Sequence, residues 1–170
     1  MEESMEFCSV ALRECISLVA NYQGKIASTI GKYAFDKTMD YRKHWNLLKD
    51  EVDFFRNAIN NAEMLQQKID SIQSGKFKLC SLKDLTKILR KSKVLLEFYD
   101  KESYIAMAKQ MTNVSWFRTQ IQYYLAYINN ALSTFQIEFA IKQKELERIS
   151  KFKTQQKREK AIEKLFLCGK

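Results

Sequence analysis

Apolar residues return at steps of three and four along almost the whole chain, from Ser4 to Ile162. The pattern is interrupted only near Asp36, Gly75 and Met111. Apolar positions with this spacing fall on one face of an α-helix, so the pattern predicts long helices joined by short loops. The absence of proline agrees with this prediction, because proline removes a backbone donor and clashes with the preceding helical turn.

The interruptions divide the pattern into four predicted helices. These span about Ser4 to Tyr33, Thr38 to Ser74, Ser81 to Met111 and Thr112 to Leu165. The third begins with Ser81-Leu82-Lys83-Asp84, which has the form of a capping box, so we expect the Ser81 hydroxyl to accept a hydrogen bond from an early amide. The fourth helix, if continuous, has about 50 residues and a length of about 80 Å.

Helices joined by short loops lie antiparallel to their sequence neighbours. The prediction is therefore an all-α protein, an elongated antiparallel up-down four-helix bundle with a long, overhanging C-terminal helix. An open three-helix array with a separate hairpin is the alternative. We assign residues 1–150 to the bundle and residues 151–170 to a basic C-terminal helical extension, which overhangs, folds back or meets another chain.

The predicted core follows from the apolar seams of the four helices. It contains Leu12, Val19, Tyr22, Trp45, Val52, Phe55, Leu85, Leu89, Leu96, Ile121, Ile128 and Phe135. A chain of 170 residues is long enough to bury such a core as one domain. The acidic start of the chain and the lack of a long uncharged apolar run predict an intracellular, soluble, cytoplasmic protein.

The formal net charge of +9 is concentrated in two stretches of the chain. Residues 1–75 carry nine basic and eleven acidic side chains, so this half is close to neutral. Residues 76–111 carry nine basic against four acidic side chains, and residues 142–170 carry ten against four. Antiparallel packing of the third and fourth helices brings these two stretches to the same end of the bundle.

We call the predicted positive area the basic surface, and expect it to bind an acidic partner. It consists of Lys76, Lys78, Lys83, Lys87, Arg90, Lys91, Lys93, Lys142, Lys144, Arg148, Lys151, Lys153, Lys157, Arg158, Lys160 and Lys164. Lysine predominates, which suits contact with phosphates better than bidentate recognition of base edges. The alternative is an ordinary solvated face, because nearby glutamates and the acidic N-terminus offset part of the charge.

The sequence predicts no catalytic residue, metal site or cofactor. His44 is the only histidine and reads as a surface residue beside Trp45. Asp50, Glu51 and Asp53 point in different directions on a helix, which is typical of solvent exposure. Cys8 and Cys15 share a seam and read as small buried hydrophobes. Cys80 lies in an electropositive loop, a setting that lowers the pKa of a thiol, but an ordinary free thiol is the preferred interpretation and a reactive one the alternative.

The fourth helix is rich in aromatic residues, which form either a stacking platform for single-stranded nucleic acid or part of the core. Seam spacing favours the core for Phe117, Tyr124 and Phe135. It leaves Trp116, Tyr123 and Tyr127 directed toward a rim or a partner; these six residues are the aromatic set of the helix. The apolar segment 161–167 is expected to dock on a partner, on the bundle itself or at a membrane surface.

Together, these features indicate a non-enzymatic interaction or scaffold protein. Its basic end and long last helix are expected to bind an acidic protein partner, to self-associate, or both. One alternative is a nucleic-acid-associated protein without sequence specificity, and a second is a peripheral binder of anionic membranes. No small-molecule substrate is predicted.

Overall fold

The computed structural model describes residues 2–33, 41–72, 81–109, 114–152 and 154–166. It describes the side chains of residues 7–28, 46–71, 81–101, 114, 116–152 and 154–165. The regular elements in this part of the chain are α1 (Glu2–Tyr33), α2 (Tyr41–Ile72), α3 (Ser81–Lys109), α4 (Val114–Ser150) and α5 (Gln155–Phe166). The all-α prediction is confirmed.

Contacts between neighbouring helices establish their directions. Tyr22 of α1 stacks on Phe54 of α2 with ring centroids 5.1 Å apart. About four turns later in α2, Lys68 lies over the ring of Phe7, near the start of α1. Because the contact positions advance in opposite directions, α1 and α2 are antiparallel. A third contact agrees, since Lys25 also lies over the Phe54 ring.

The other helix pairs complete the bundle. The salt bridges Arg56–Asp100 and Glu63–Lys93 show that α2 and α3 are antiparallel, because the position in α3 falls as the position in α2 rises. The hydrogen bond from Ser81 to Glu138 and the edge contact between Tyr99 and Phe117 show that α3 and α4 are also antiparallel. The helices α2 and α4 meet across the centre in parallel. The up-down bundle is confirmed.

The core lies between all four long helices. The predicted core residues are buried, with Tyr22 half-buried against the core and Trp45 outside the described side chains. The largest fully buried side chains include Phe55, Phe117 and Phe135. Seam periodicity therefore identified the inward faces correctly, because a helix in a bundle buries the stripe that repeats every three or four residues.

The start of α3 differs from the predicted capping box. The backbone amide of Ser81 donates to Glu138 Oε2 at 3.0 Å, and the Ser81 hydroxyl donates to the same carboxylate oxygen. A carboxylate from α4 therefore sits at the positive end of the α3 dipole. The hydroxyl acts as a donor to another helix, because a charged acceptor competes better for it than the local amides do.

The end of α4 is the main departure from the predicted overhang. The helix ends at Ser150, with Lys151 and Phe152 amides closing the last turn on the carbonyls of Arg148 and Ile149. A new helix then begins, and the Arg158 amide donates to the Thr154 carbonyl at 3.1 Å. Threonine suits such a helix start, since its hydroxyl can satisfy an early amide.

The last helix, α5, runs back along the end of α4 instead of extending it. The Lys142 ammonium group, two turns before the end of α4, donates to the carbonyl of Leu165 near the end of α5. Ile149 is buried and Leu146 is half-buried in this region, beyond the register at which α3 begins. A continuous helix would leave these side chains in water, so their burial favours the reversal.

An ion pair lies inside the bundle between α2 and α4. Arg118 Nε donates to Glu51 Oε2 at 3.0 Å, and the two side chains are 11% and 3% exposed. Glu51 Oε1 and Arg118 Nη2 are buried without a hydrogen-bond partner. The prediction that Glu51 faces solvent is therefore wrong, because its helical position places it on the seam toward α4.

The buried pair predicts an unusual pH dependence. Burial raises the pKa of Glu51 above its ordinary 4.5, an effect that Arg118 opposes and Asp50 reinforces. Since the native state then binds this proton more readily than the unfolded chain, protonation favours folding below pH about 4.5, and this contribution disappears as the pH rises through the native pKa.

We therefore expect the difference in free energy of unfolding, wild type minus Glu51→Gln, to move in favour of the wild type as the pH falls from 7 to about 4. Urea titrations of both proteins at each pH measure this difference. The two proteins share every other carboxylate, so the contributions of those groups cancel in the difference and only the titration of Glu51 remains. A difference that moves in favour of Glu51→Gln at low pH contradicts the raised pKa.

Candidate polyanion-binding surface

The first turns of α3 carry the predicted positive charge on the bundle itself. Lys83, Lys87, Arg90 and Lys91 are all exposed, with Asp84 as the acid among them. No salt bridge joins these four cations to any described residue. Because Ser81 lies opposite Glu138, they lie alongside the second half of α4, close to the end where α5 packs.

Two of these cations border a groove between α3 and α4 with a volume of about 400 Å³. One side consists of Ser81, Asp84, Lys87 and Lys91 of α3, and the other of Tyr123, Tyr127, Asn130 and Thr134 of α4. Ile88, Tyr124 and Ala131 also line it and are buried or half-buried. The groove therefore combines positive charge, hydroxyl and amide groups, and an apolar lining.

The outward aromatic residues of α4 are where the spacing predicted. Trp116, Tyr123 and Tyr127 are exposed, whereas Phe117 and Phe135 are buried and Tyr124 is half-buried against the core. Tyr123 and Tyr127 hydroxyls lie 2.5 Å apart, and this bond raises the pKa of Tyr123. Both phenols offer a polar edge beside Lys87 and Lys91.

The cations of α4 and α5 fall into two groups. Lys144, Lys151, Lys157, Lys160 and Lys164 are exposed. Three others make contacts within the fold: Lys142 bonds the Leu165 carbonyl, Arg158 Nε donates to the Phe152 carbonyl at 2.5 Å, and Arg148 lies 4.0 Å from Glu145. Lys142 is half-buried and holds α5 against α4, so its role is partly structural.

The structure brings most of the predicted basic surface to one end of the bundle. Lys93 departs from this grouping, because it pairs with Glu63 at 2.5 Å on the side of α3 that faces α2. Lys76, Lys78 and Lys153 lie outside the described residues. The surface described by the structure therefore consists of the early α3 cations and those of the α4–α5 hairpin.

The predicted inert thiols are placed as expected. Cys8 and Cys15 are buried, and desolvation raises the pKa of Cys15 to about 11 and also that of Cys8, which Lys68 partly opposes. A thiol with such a pKa is almost entirely protonated at neutral pH, which makes it a poor nucleophile. Cys80 and the side chain of His44 lie outside the described part of the chain.

Two features of the site were missed by the sequence reasoning. The first is the groove, whose Asn130 and Thr134 had no pattern to mark them. The second is that α4 has no charged residue between Arg118 and Glu138. The sequence contained this second signal, as an uncharged run of 119–137 in a chain of which 29% is charged.

No known protein family, curated protein or solved structure matches this chain. Within the described residues, no helix is long and apolar enough to cross a membrane. The same residues contain no group of three or more histidine, cysteine, aspartate or glutamate side chains arranged to hold a metal ion.

Proposed function

We propose that this chain is a non-enzymatic helical-bundle interaction protein whose basic end binds an acidic protein partner, and which also self-associates. The observation that carries the proposal is the exposed set Lys83, Lys87, Arg90 and Lys91, which lacks salt bridges to described residues. Unpaired cations on a rigid helix attract a polyanion without first breaking internal ion pairs.

The α4–α5 hairpin extends this surface. Exposed Lys157, Lys160 and Lys164 lie on α5, which packs on the end of α4 at the same end of the bundle. We propose that residues 151–170 act as the basic extension of a bundle formed by residues 1–150. Its reversal keeps these cations close to the bundle, which favours simultaneous contact of both groups with one partner.

Nucleic acid is the second candidate, and one observation favours it. Lys87 and Lys91 border the same groove as Tyr123 and Tyr127, and cations beside exposed rings are the elements that hold single strands through phosphate contact and stacking. The membrane alternative has less support, since Ala161, Ile162 and Leu165 of the apolar segment are already half-buried in the fold.

Binding of three labelled probes tests the proposal: poly-glutamate, a single-stranded oligonucleotide, and vesicles with or without phosphatidylserine. We expect Lys87→Gln/Lys91→Gln to weaken poly-glutamate binding up to about 30-fold at low salt, since each cation near an anionic surface contributes up to about 1 kcal/mol. Affinity should fall steeply as salt rises, because the exposed charges are screened.

The matched control is Lys49→Gln/Lys101→Gln, which removes the same charge from exposed positions elsewhere on the bundle. We expect this control to bind poly-glutamate within about threefold of the wild type. Equal losses in both variants would mean that net charge alone governs binding. Binding to the oligonucleotide alone selects the nucleic-acid candidate, and binding to phosphatidylserine vesicles alone selects the membrane candidate. If none of the probes binds at low salt, the acidic-partner, nucleic-acid and membrane functions are all contradicted.

A further inference from the structure

The groove between α3 and α4 is basic in its middle section. In the antiparallel register of the two helices, Lys87 lies level with Asn130 and Lys91 lies level with Tyr127. The two lysines stand one helical turn apart, so their attachment points on α3 are separated by about 6 Å. No salt bridge joins either ammonium group to a described residue. This section therefore suits two carboxylates that are themselves one helical turn apart.

The groove is acidic at the end where α3 begins. Asp84 lines it one turn before Lys87, level with Thr134 of α4. A second carboxylate, that of Glu138, accepts the hydrogen bonds from Ser81 at the same end. A strand with a negative charge on every unit would have to pass both carboxylates, and like charges brought close together oppose binding. The groove is therefore less suited to a nucleic-acid backbone or a uniformly acidic tail.

At the other end the boundary between α3 and α4 is aromatic. Phe98 lies seven residues after Lys91 and Trp116 lies seven residues before Tyr123, so helical spacing keeps each on the stripe that borders the groove. The rings of Phe98 and Trp116 meet edge to face with centroids 6.0 Å apart, and they are 44% and 47% exposed. This section offers apolar surface to whatever the lysines bind.

The floor of the groove is apolar and leaves room for a side chain. It consists of half-buried Ile88 and Tyr124 and of Ala131, which is 7% exposed. Because alanine ends at its β-carbon, the space above it is open. The groove volume of about 400 Å³ falls within the range of roughly 300–1,000 Å³ that is typical of ligand sites. A large apolar side chain of a partner fits there.

We propose that this groove is the docking site for an amphipathic acidic helix of the partner. Two carboxylates of that helix face Lys87 and Lys91, and an aromatic side chain between them enters the space above Ala131. The assignment rests on the acidic-protein function proposed for this chain and names the segment that is recognised. Helices bind in grooves through anchors repeated at three, four and seven residues, which is the spacing that these positions require.

Charge and length both identify this occupant. The cations lie between carboxylates on one side and rings on the other, so the complementary segment carries its acids in one section and apolar residues next to them. From Asp84 to Phe98 the seam is about 21 Å long, which corresponds to about four helical turns. A uniformly acidic segment matches the middle section alone, whereas an amphipathic helix also covers the floor and the rings.

Labelled peptides test the docking site on the unchanged protein. The first is a helix-forming peptide with glutamates at positions i and i+4 and phenylalanine at i+3. In the second peptide alanine replaces the phenylalanine, and in the third glutamine replaces both glutamates. We expect each exchange to weaken binding at least about tenfold, since one removes a ring that becomes buried and the other removes both charges.

A variant that fills the groove tests where the peptide binds. Ala131→Phe places a ring above the floor, and we expect it to weaken binding of the phenylalanine peptide about tenfold while poly-glutamate binding stays within about threefold of the wild type. Ala27→Phe, the same exchange at an exposed position of α1, should change neither affinity. Asn130→Trp fills the groove from an exposed position and replaces Ala131→Phe if circular dichroism shows that variant unfolded.

The outcomes separate the docking site from the proposed function. Equal binding of the phenylalanine and alanine peptides, or full affinity for the phenylalanine peptide in a folded, filled variant, overturns the docking site while poly-glutamate binding still supports the acidic-partner function. A filled variant that loses affinity for the single-stranded oligonucleotide but not for the peptide assigns the groove to nucleic acid instead. If neither the peptides nor poly-glutamate binds at low salt, both proposals fail.

Discussion

Replacing Glu51 with alanine is expected to destabilise the bundle by about 3–5 kcal/mol, because the substitution leaves the guanidinium of Arg118 buried without its counter-ion. The pair lies between α2 and α4, where Glu51 is 3% exposed and Arg118 11%. Neither residue has another salt bridge among the described residues. Urea denaturation at pH 7, followed by circular dichroism, measures the loss.

The double variant Glu51→Leu/Arg118→Met separates the ion pair from the packing at this position. It removes both charges while keeping apolar volume, and such exchanges are often neutral or stabilising. We therefore expect it to be more stable than Glu51→Ala by several kcal/mol. A double variant as unstable as the single one would show that the stability at this position comes from the pair itself.

Replacing Phe55 with alanine is expected to cost about 3–5 kcal/mol, through lost burial and the cavity that remains. Phe55 is fully buried, and its ring centroid lies 6.5 Å from that of Tyr124 across the bundle. It packs where α2 and α4 meet, near the centre of the core. The surrounding helices are tied to each other on several sides, so they cannot collapse fully into the space.

Phe98→Ala is the matched control for Phe55→Ala, because the same atoms are removed from a ring that is 44% exposed. We expect the control to cost less than half as much, since less surface returns to water and no closed cavity forms. Both variants are compared with the wild type by denaturant unfolding. A loss below about 1 kcal/mol for Phe55→Ala would contradict the packing described above.

The sequence by itself determined the helices, their inward faces and the placement of charge along the chain. These properties depend on local spacing, since a stripe repeating every three or four residues identifies the buried face of a helix whatever it packs against. Residues such as Phe55, Ile121 and Leu89 were therefore recognised as core. The exposure of Trp116 and Tyr123 followed from the same spacing.

Only the tertiary structure decided which residues meet across helices. Glu51 lies in an acidic stretch with Asp50 and Asp53, which is typical of a solvent-exposed helix face. Its pairing with Arg118 depends on the register between α2 and α4. Glu138 replaced the local cap of Ser81 for the same reason. The reversal at Ser150 depends on whether Ile149 finds cover, which is a property of the whole assembly of helices. Local pattern specifies the face that is buried, whereas long-range register specifies its partner.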